Sequence, residues 1–152
     1  MKEGYAMKGK RRETIIMWAI FLLPLLTFIL ELLPWGAILN FIDNPASELR
    51  RETYSYFSLM PAGYANFGPL LTGILTIVLL SLLITYLFTK QIKVLYIIVI
   101  VSFISVVTSL IPLILGLNFY SLIGLFISLT LIIESSFALY LYRLLIKEPT
   151  LG

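Results

Sequence analysis

The chain contains no histidine and no cysteine, and Asp43 is its one aspartate. Without imidazole or thiolate there is no zinc site of the usual kind, no HExxH protease, no bis-histidine haem, no serine–histidine dyad and no disulfide relay. A single aspartate rules out paired aspartyl chemistry and aspartate-rich, metal-dependent transfer. Charge is scarce too, at 12% of residues, and no run carries the arginine ladder of a voltage sensor. These gaps predict a protein that is not an enzyme and that holds no metal or cofactor.

What fills the 152 residues is apolar: 60% of them, with a mean hydropathy of +1.01. That balance lies well outside the range of water-soluble domains. A helix crossing ~30 Å of hydrocarbon needs about 20 mostly apolar residues, and Thr14–Leu33, Pro69–Thr89, Val94–Leu115 and Ser121–Arg143 supply four such stretches. Each must be helical, because lipid offers no partner to backbone N–H and C=O groups, and the alternating ten-residue segments of a barrel are missing. The predicted fold is all-α: a single domain forming an integral membrane, antiparallel four-helix bundle.

Lysine and arginine placement predicts the orientation. Lys2, Lys8, Lys10, Arg11 and Arg12 precede the first run, Lys90 and Lys93 separate the second and third, and Arg143 and Lys147 close the fourth. All of these fall on one side of a four-pass chain. The other side holds Arg50 and Arg51, offset by Asp43, Glu48 and Glu52. Both termini are therefore expected in the cytoplasm, the protein in the plasma membrane, and the net charge of +3 needs no nucleic acid to explain it. The basic start followed by an apolar run resembles a signal peptide, but bulky Trp35 stands where a cleavage site wants a small residue, so an uncleaved anchor is expected.

Local signals fit these spans. Thr14 is a candidate cap for the first helix, Gly68-Pro69 opens the second, Gly116 ends the third, and Asn118 or Ser121 caps the fourth, which Pro149 stops. The segment Pro34–Gly68 is the one substantial stretch outside the membrane. Trp35, Tyr54, Tyr56, Phe57 and Tyr64 give it too much aromatic surface for a disordered loop. It predicts a compact extracytoplasmic cap, with a short helix at Ala46–Glu52, an extended stretch at Thr53–Leu59 and a turn at Met60–Gly63. Its aromatic surface reads either as a headgroup-level belt or as a binding surface.

Two carboxylates lie inside the runs, where their cost makes them functional candidates. Glu31 is about one turn from the outer end of the first helix, within reach of Arg50 or Arg51 in the cap. Glu134 lies about 14 Å from the inner end of the fourth helix, counting 1.5 Å per residue. At the same depth stand Ser81, Ser102, Ser105 and Pro24, a proline that cannot bond the carbonyl of Ile20. This layer reads as interhelical hydrogen bonding, as a protonatable site for a ligand or ion, or as a contact with a partner's helix. Small residues also form stripes, Ser102, Ser105, Ser109 and Gly116 on the third helix and Ser121, Gly124, Ser128 and Ser135 on the fourth, which read as packing faces.

The stretch from Glu52-Thr53-Tyr54-Ser55-Tyr56-Phe57 through Pro61-Ala62-Gly63-Tyr64-Ala65-Asn66-Phe67-Gly68-Pro69, with Leu32-Leu33-Pro34-Trp35-Gly36, resembles small uncharacterised four-helix membrane proteins of low-GC Gram-positive bacteria. The resemblance implies a location and no activity. The topology is similar to that of claudins, without their paired loop cysteines. Small four-pass multidrug exporters carry a carboxylate in mid-first-helix, where this chain has Pro24. The expected function is that of a non-enzymatic accessory or interaction component, with the bilayer and another membrane protein or a second copy as partners. The alternative is a carrier or binder of a small hydrophobic or lipid-like molecule at Glu134.

Overall fold

A computed structural model describes residues 2–41, 50–60 and 66–147, with side chains described from Thr14 onward. Four long helices dominate: α1 (Lys2–Leu32), α2 (Phe67–Thr89), α3 (Ile92–Ser109) and α4 (Leu122–Lys147). All four spans are long and apolar enough to cross a membrane, so the chain is a multi-pass membrane protein by length and composition. Between α1 and α2 lies a hairpin of β1 (Ala37–Phe41) and β2 (Arg50–Tyr54), paired antiparallel with Ala37 opposite Tyr54 and Phe41 opposite Arg50.

The helices form a ring in which α1 packs on α2 and α4, and α3 packs on α2 and α4. Each turns a narrow stripe inward. On α4 the stripe is Gly124, Ile127, Ser128, Leu131, Glu134, Ala138 and Leu141, the three- and four-residue spacing of one helix face. Only 33% of the α2 window is buried, and the outside carries Phe88, Phe103, Ile114 and many other large apolar side chains. In water such a surface would aggregate; in hydrocarbon it is the solvated face, and small or hydroxyl-bearing residues take the close contacts between helices.

Two clusters divide the interior. Ile16, Ile20, Leu79, Leu83, Tyr86, Leu95, Ile98, Ala138 and Leu141 fill the end away from the hairpin. Ala37 and Tyr56 of the cap join Ile127 and Leu131 at the other. At the far end Lys90, in the left-handed conformation with φ 52°, turns α2 into α3 and places its ammonium 3.1 Å from Met17 Sδ.

Several boundaries differ from the sequence reading. The first helix begins at Lys2, so Thr14 lies inside it and does not cap it. Lysine, arginine, methionine and alanine in that stretch all favour helix, and the basic run continues α1 beyond the apolar span. The third helix is interrupted: it stops at Ser109, and a short helix Ile111–Leu115 follows. Pro112 has no N–H for the carbonyl of Thr108, and it disfavours helical geometry in the residue before it. Gly116, at φ 139°, then ends the segment in a conformation that side-chain-bearing residues rarely adopt. Arg50, Arg51 and Glu52 are strand and not part of a short helix, and β1 was not foreseen at all. The expected helix start at Ala46, the turn after Met60, and Tyr64 lie outside the described residues.

Candidate functional site

Ser121, immediately before α4, accepts a hydrogen bond from the N–H of Gly124 at 2.7 Å, as a helix cap should. Its hydroxyl also lies 2.6 Å from the carbonyl of Gly36, to which it donates, so one side chain caps α4 and ties the cap to the bundle. Two residues of the cap are pushed deeper. The Tyr56 N–H donates to the carbonyl of Glu31 at 3.0 Å, in the last turn of α1, and its ring is 1% exposed. A Cβ on Gly36 would sit 2.9 Å from that ring. Phe57 lies against α2 in the same way: a Cβ on Gly73 would come within 2.9 Å of it, and Phe28 of α1 meets it edge-on at 5.6 Å. Burial pushes the Tyr56 hydroxyl pKa well above its ordinary value, and that of Tyr120 also rises.

Below this plug lies a layer of hydroxyls. Thr76 on α2 sits 2.8 Å from Glu31 Oε1 and 3.1 Å from the Thr72 carbonyl, sharing one proton between them. Thr72 in turn bonds Thr108 of α3 at 2.9 Å. Thr27 of α1 meets Thr130 of α4 at 2.7 Å, and Tyr120 donates to Ser128 at 2.7 Å. Glu31 is fully buried; among the described residues its Oε2 has no hydrogen-bond partner, and neither do the side-chain amide atoms of Asn66, at the start of α2.

Glu134 stands apart from this layer. It is fully buried, and neither carboxyl oxygen has a donor among the described residues. The Thr27–Thr130 contact fixes the register of α1 against α4: four residues further along α4 is Glu134, and four residues back along α1 is Leu23, next to buried Pro24. Ser128, 3.4 Å from the Ser109 carbonyl, fixes α4 against α3 in the same manner and puts Glu134 at the level of Ser102. The depth matching with Pro24, Ser102 and Ser105 thus corresponds to the observed register. Both serines are buried, but they donate to Val99 and Val101 of their own helix. Ser81 does not join them. It is exposed and bonds the Ile77 carbonyl, because α2 faces inward through Leu79 and Leu83, and residue 81 falls on the opposite side.

The expected contact of Glu31 with Arg50 or Arg51 gives way to another arrangement. Arg50, on β2, pairs with Glu52 at 2.6 Å, and Arg51 is exposed, whereas Glu31 turns into the bundle towards Thr76. The hairpin register holds the arginines on the far strand. Trp35 is 57% exposed, and the Tyr54 hydroxyl donates to Glu52. Sequence reasoning missed the threonine layer around Glu31, although Thr72 and Thr76 are spaced four apart on one face of an otherwise greasy helix. On the register that Thr27 and Thr130 set, the two acids lie eight residues apart in depth, ~12 Å at 1.5 Å per residue, too far to share a proton. No family model matches the chain, and no curated protein or solved structure matches it.

Proposed function

We propose that this protein is a non-enzymatic accessory or interaction component of the plasma membrane, an antiparallel four-helix bundle of one domain. Lysine and arginine bias puts both termini in the cytoplasm and the hairpin cap outside. The observation that carries the reading is the seating of the cap: Tyr56 and Phe57 are wedged between helices at glycines, while Trp35 of the same segment remains open to the surroundings. A cap held so firmly presents a fixed surface to a partner, and a rigid surface binds with less ordering cost than a mobile one. Its partner is another membrane protein. Crosslinking and co-purification from native membranes test this: a defined partner, lost on Trp35→Ala with the fold intact, is expected. A protein that is repeatedly recovered alone would sink the proposal.

A second reading, a binder of a small hydrophobic molecule at Glu134, is favoured by one observation, the two carboxyl oxygens buried without a donor. A carboxyl in hydrocarbon needs a proton or a cation to satisfy it. In this reading a cap acting as a lid must first unseat Tyr56. Glu134→Gln keeps the size of the side chain and removes the proton exchange. An unchanged phenotype with unchanged thermal stability eliminates Glu134 as a working residue.

A further inference from the structure

The outer surface of the bundle is apolar nearly everywhere, but at the end away from the hairpin it is also indented. Between α1 and α4 lies an open hollow of about 460 Å³ lined by Ile15, Ile16, Ser136, Phe137 and Tyr140. A second hollow of about 420 Å³ begins at the same Tyr140 and continues past Arg143 to Lys147. Residues 136, 140, 143 and 147 follow one another at the spacing of a single helix face, so the two hollows form one track along α4.

Its length and its polarity both have meaning. From Ser136 to Arg143, where the apolar run ends, is seven residues, or ~10 Å at 1.5 Å per residue, and Lys147 lies about one turn further out. The track therefore runs from within the inner leaflet to its headgroups, apolar at its deep end and cationic at its shallow end, with an aromatic hydroxyl at the junction. Tyrosine at that depth suits the boundary between chain and headgroup. Ser136 bonds its own helix at Ile132, which leaves a small side chain where the other positions on the lipid face carry bulk.

We propose that this track is a binding site for one anionic glycerophospholipid, an acyl chain lying over Ser136 between Ile15 and Phe137 and the phosphate held by Arg143 and Lys147. Guanidinium and ammonium together recognise a phosphate at the interface, and each such cation contributes about fivefold to attraction for an anionic lipid. The pair therefore gives about 25-fold preference over a zwitterionic lipid. The site lies on the opposite end of the molecule from the cap and does not depend on the reading of the cap as an interaction surface.

The full chain, purified in a mild detergent and offered equal phosphatidylglycerol and phosphatidylcholine, is to be weighed intact by native mass spectrometry. Wild type should retain one phosphatidylglycerol in about 25-fold preference. Arg143→Gln with Lys147→Gln should bring the two lipids to near equality. Ser136→Phe, which fills the groove and faces outward, should reduce the retention of both lipids while leaving the unfolding midpoint in place. Lys90→Gln with Lys93→Gln removes the same charge from the same end on another face and should leave the preference intact. Equal retention of the two lipids by wild type would overturn the site. A loss in the Lys90/Lys93 variant as large as in the Arg143/Lys147 variant would also overturn it, because net charge alone would then be responsible.

Discussion

At Gly73 the seating of one cap residue, Phe57, depends on one missing methyl group. Phe57 occupies the place of a side chain there, 2.9 Å from where a Cβ would be, and the ring is fixed on its other side by Phe28. Gly73→Ala is thus expected to destabilise by about 1–3 kcal/mol, the usual cost of overfilling a packed site, read as a lower midpoint in thermal or denaturant unfolding in detergent. An alanine tolerated without change would mean that Phe57 is free to move aside. Gly124 carries a related lesson. As part of a small-residue stripe it reads from sequence as a helix-packing face, and it is buried against Ser121, Gly36 and Tyr56 of the same chain. Gly124→Leu therefore breaks the cap seat, and it cannot serve as a clean probe of contact between copies. Glu134 was legible as the costliest residue because depth follows from counting along an apolar run. What counting cannot supply is the direction a side chain faces, which is why Ser81 matched in depth and missed by half a turn.

Among the elements, the hairpin is the least legible from sequence and the most informative in the structure. Ala37–Leu39 falls in the segment expected to form the cap, with no sign of a strand, and all three residues are buried in β1, flanked by β2 and by a bridge from Ala37 to Tyr120. Register in a hairpin is set by which face is buried and by the connection between the strands, and the local residue pattern here carries no trace of it. The helices behave oppositely. Their existence follows from the solvent, and two of their ends follow from Gly116 and Ser121, whereas the break before Pro112 is not in the sequence reading and the start of α1 differs because basic residues there extend a helix beyond the apolar span. Tyr56 couples the two kinds of element and gives a pH test. Its pKa in the folded protein lies above the unfolded value of about 10. The folded state therefore holds that proton more tightly. Its contribution is complete below about pH 10 and is lost as pH rises through the folded value, since the unfolded chain ionises first. Unfolding midpoints measured from pH 9 upward should fall for wild type beyond pH 10, and fall less steeply for Tyr56→Phe. Parallel curves would show that the phenol ring is not sealed in the seat.

On the scale of the whole molecule the interior and exterior have exchanged their usual roles. Hydroxyls and two acids lie inside, at Thr27, Thr72, Thr76, Thr108, Glu31 and Glu134, while leucine, isoleucine and phenylalanine cover the outside. Only immersion in hydrocarbon makes that distribution stable. The threonine layer near the hairpin and the aliphatic cluster at the far end then divide the bundle into a hydrogen-bonded half and a greasy half, with Glu134 isolated in the greasy one. Membrane insertion, the cap outside and the basic ends inside form a single geometric claim. It is open to direct test because the chain has no cysteine of its own. Single cysteines at Arg51, Lys90 and Lys147 can be labelled in intact cells with a membrane-impermeant thiol reagent. Arg51→Cys should react at once, whereas Lys90→Cys and Lys147→Cys should react only after permeabilisation. Labelling of Arg51→Cys and Lys147→Cys from the same side, or of Lys90→Cys and Lys147→Cys from opposite sides, would contradict the four-pass arrangement.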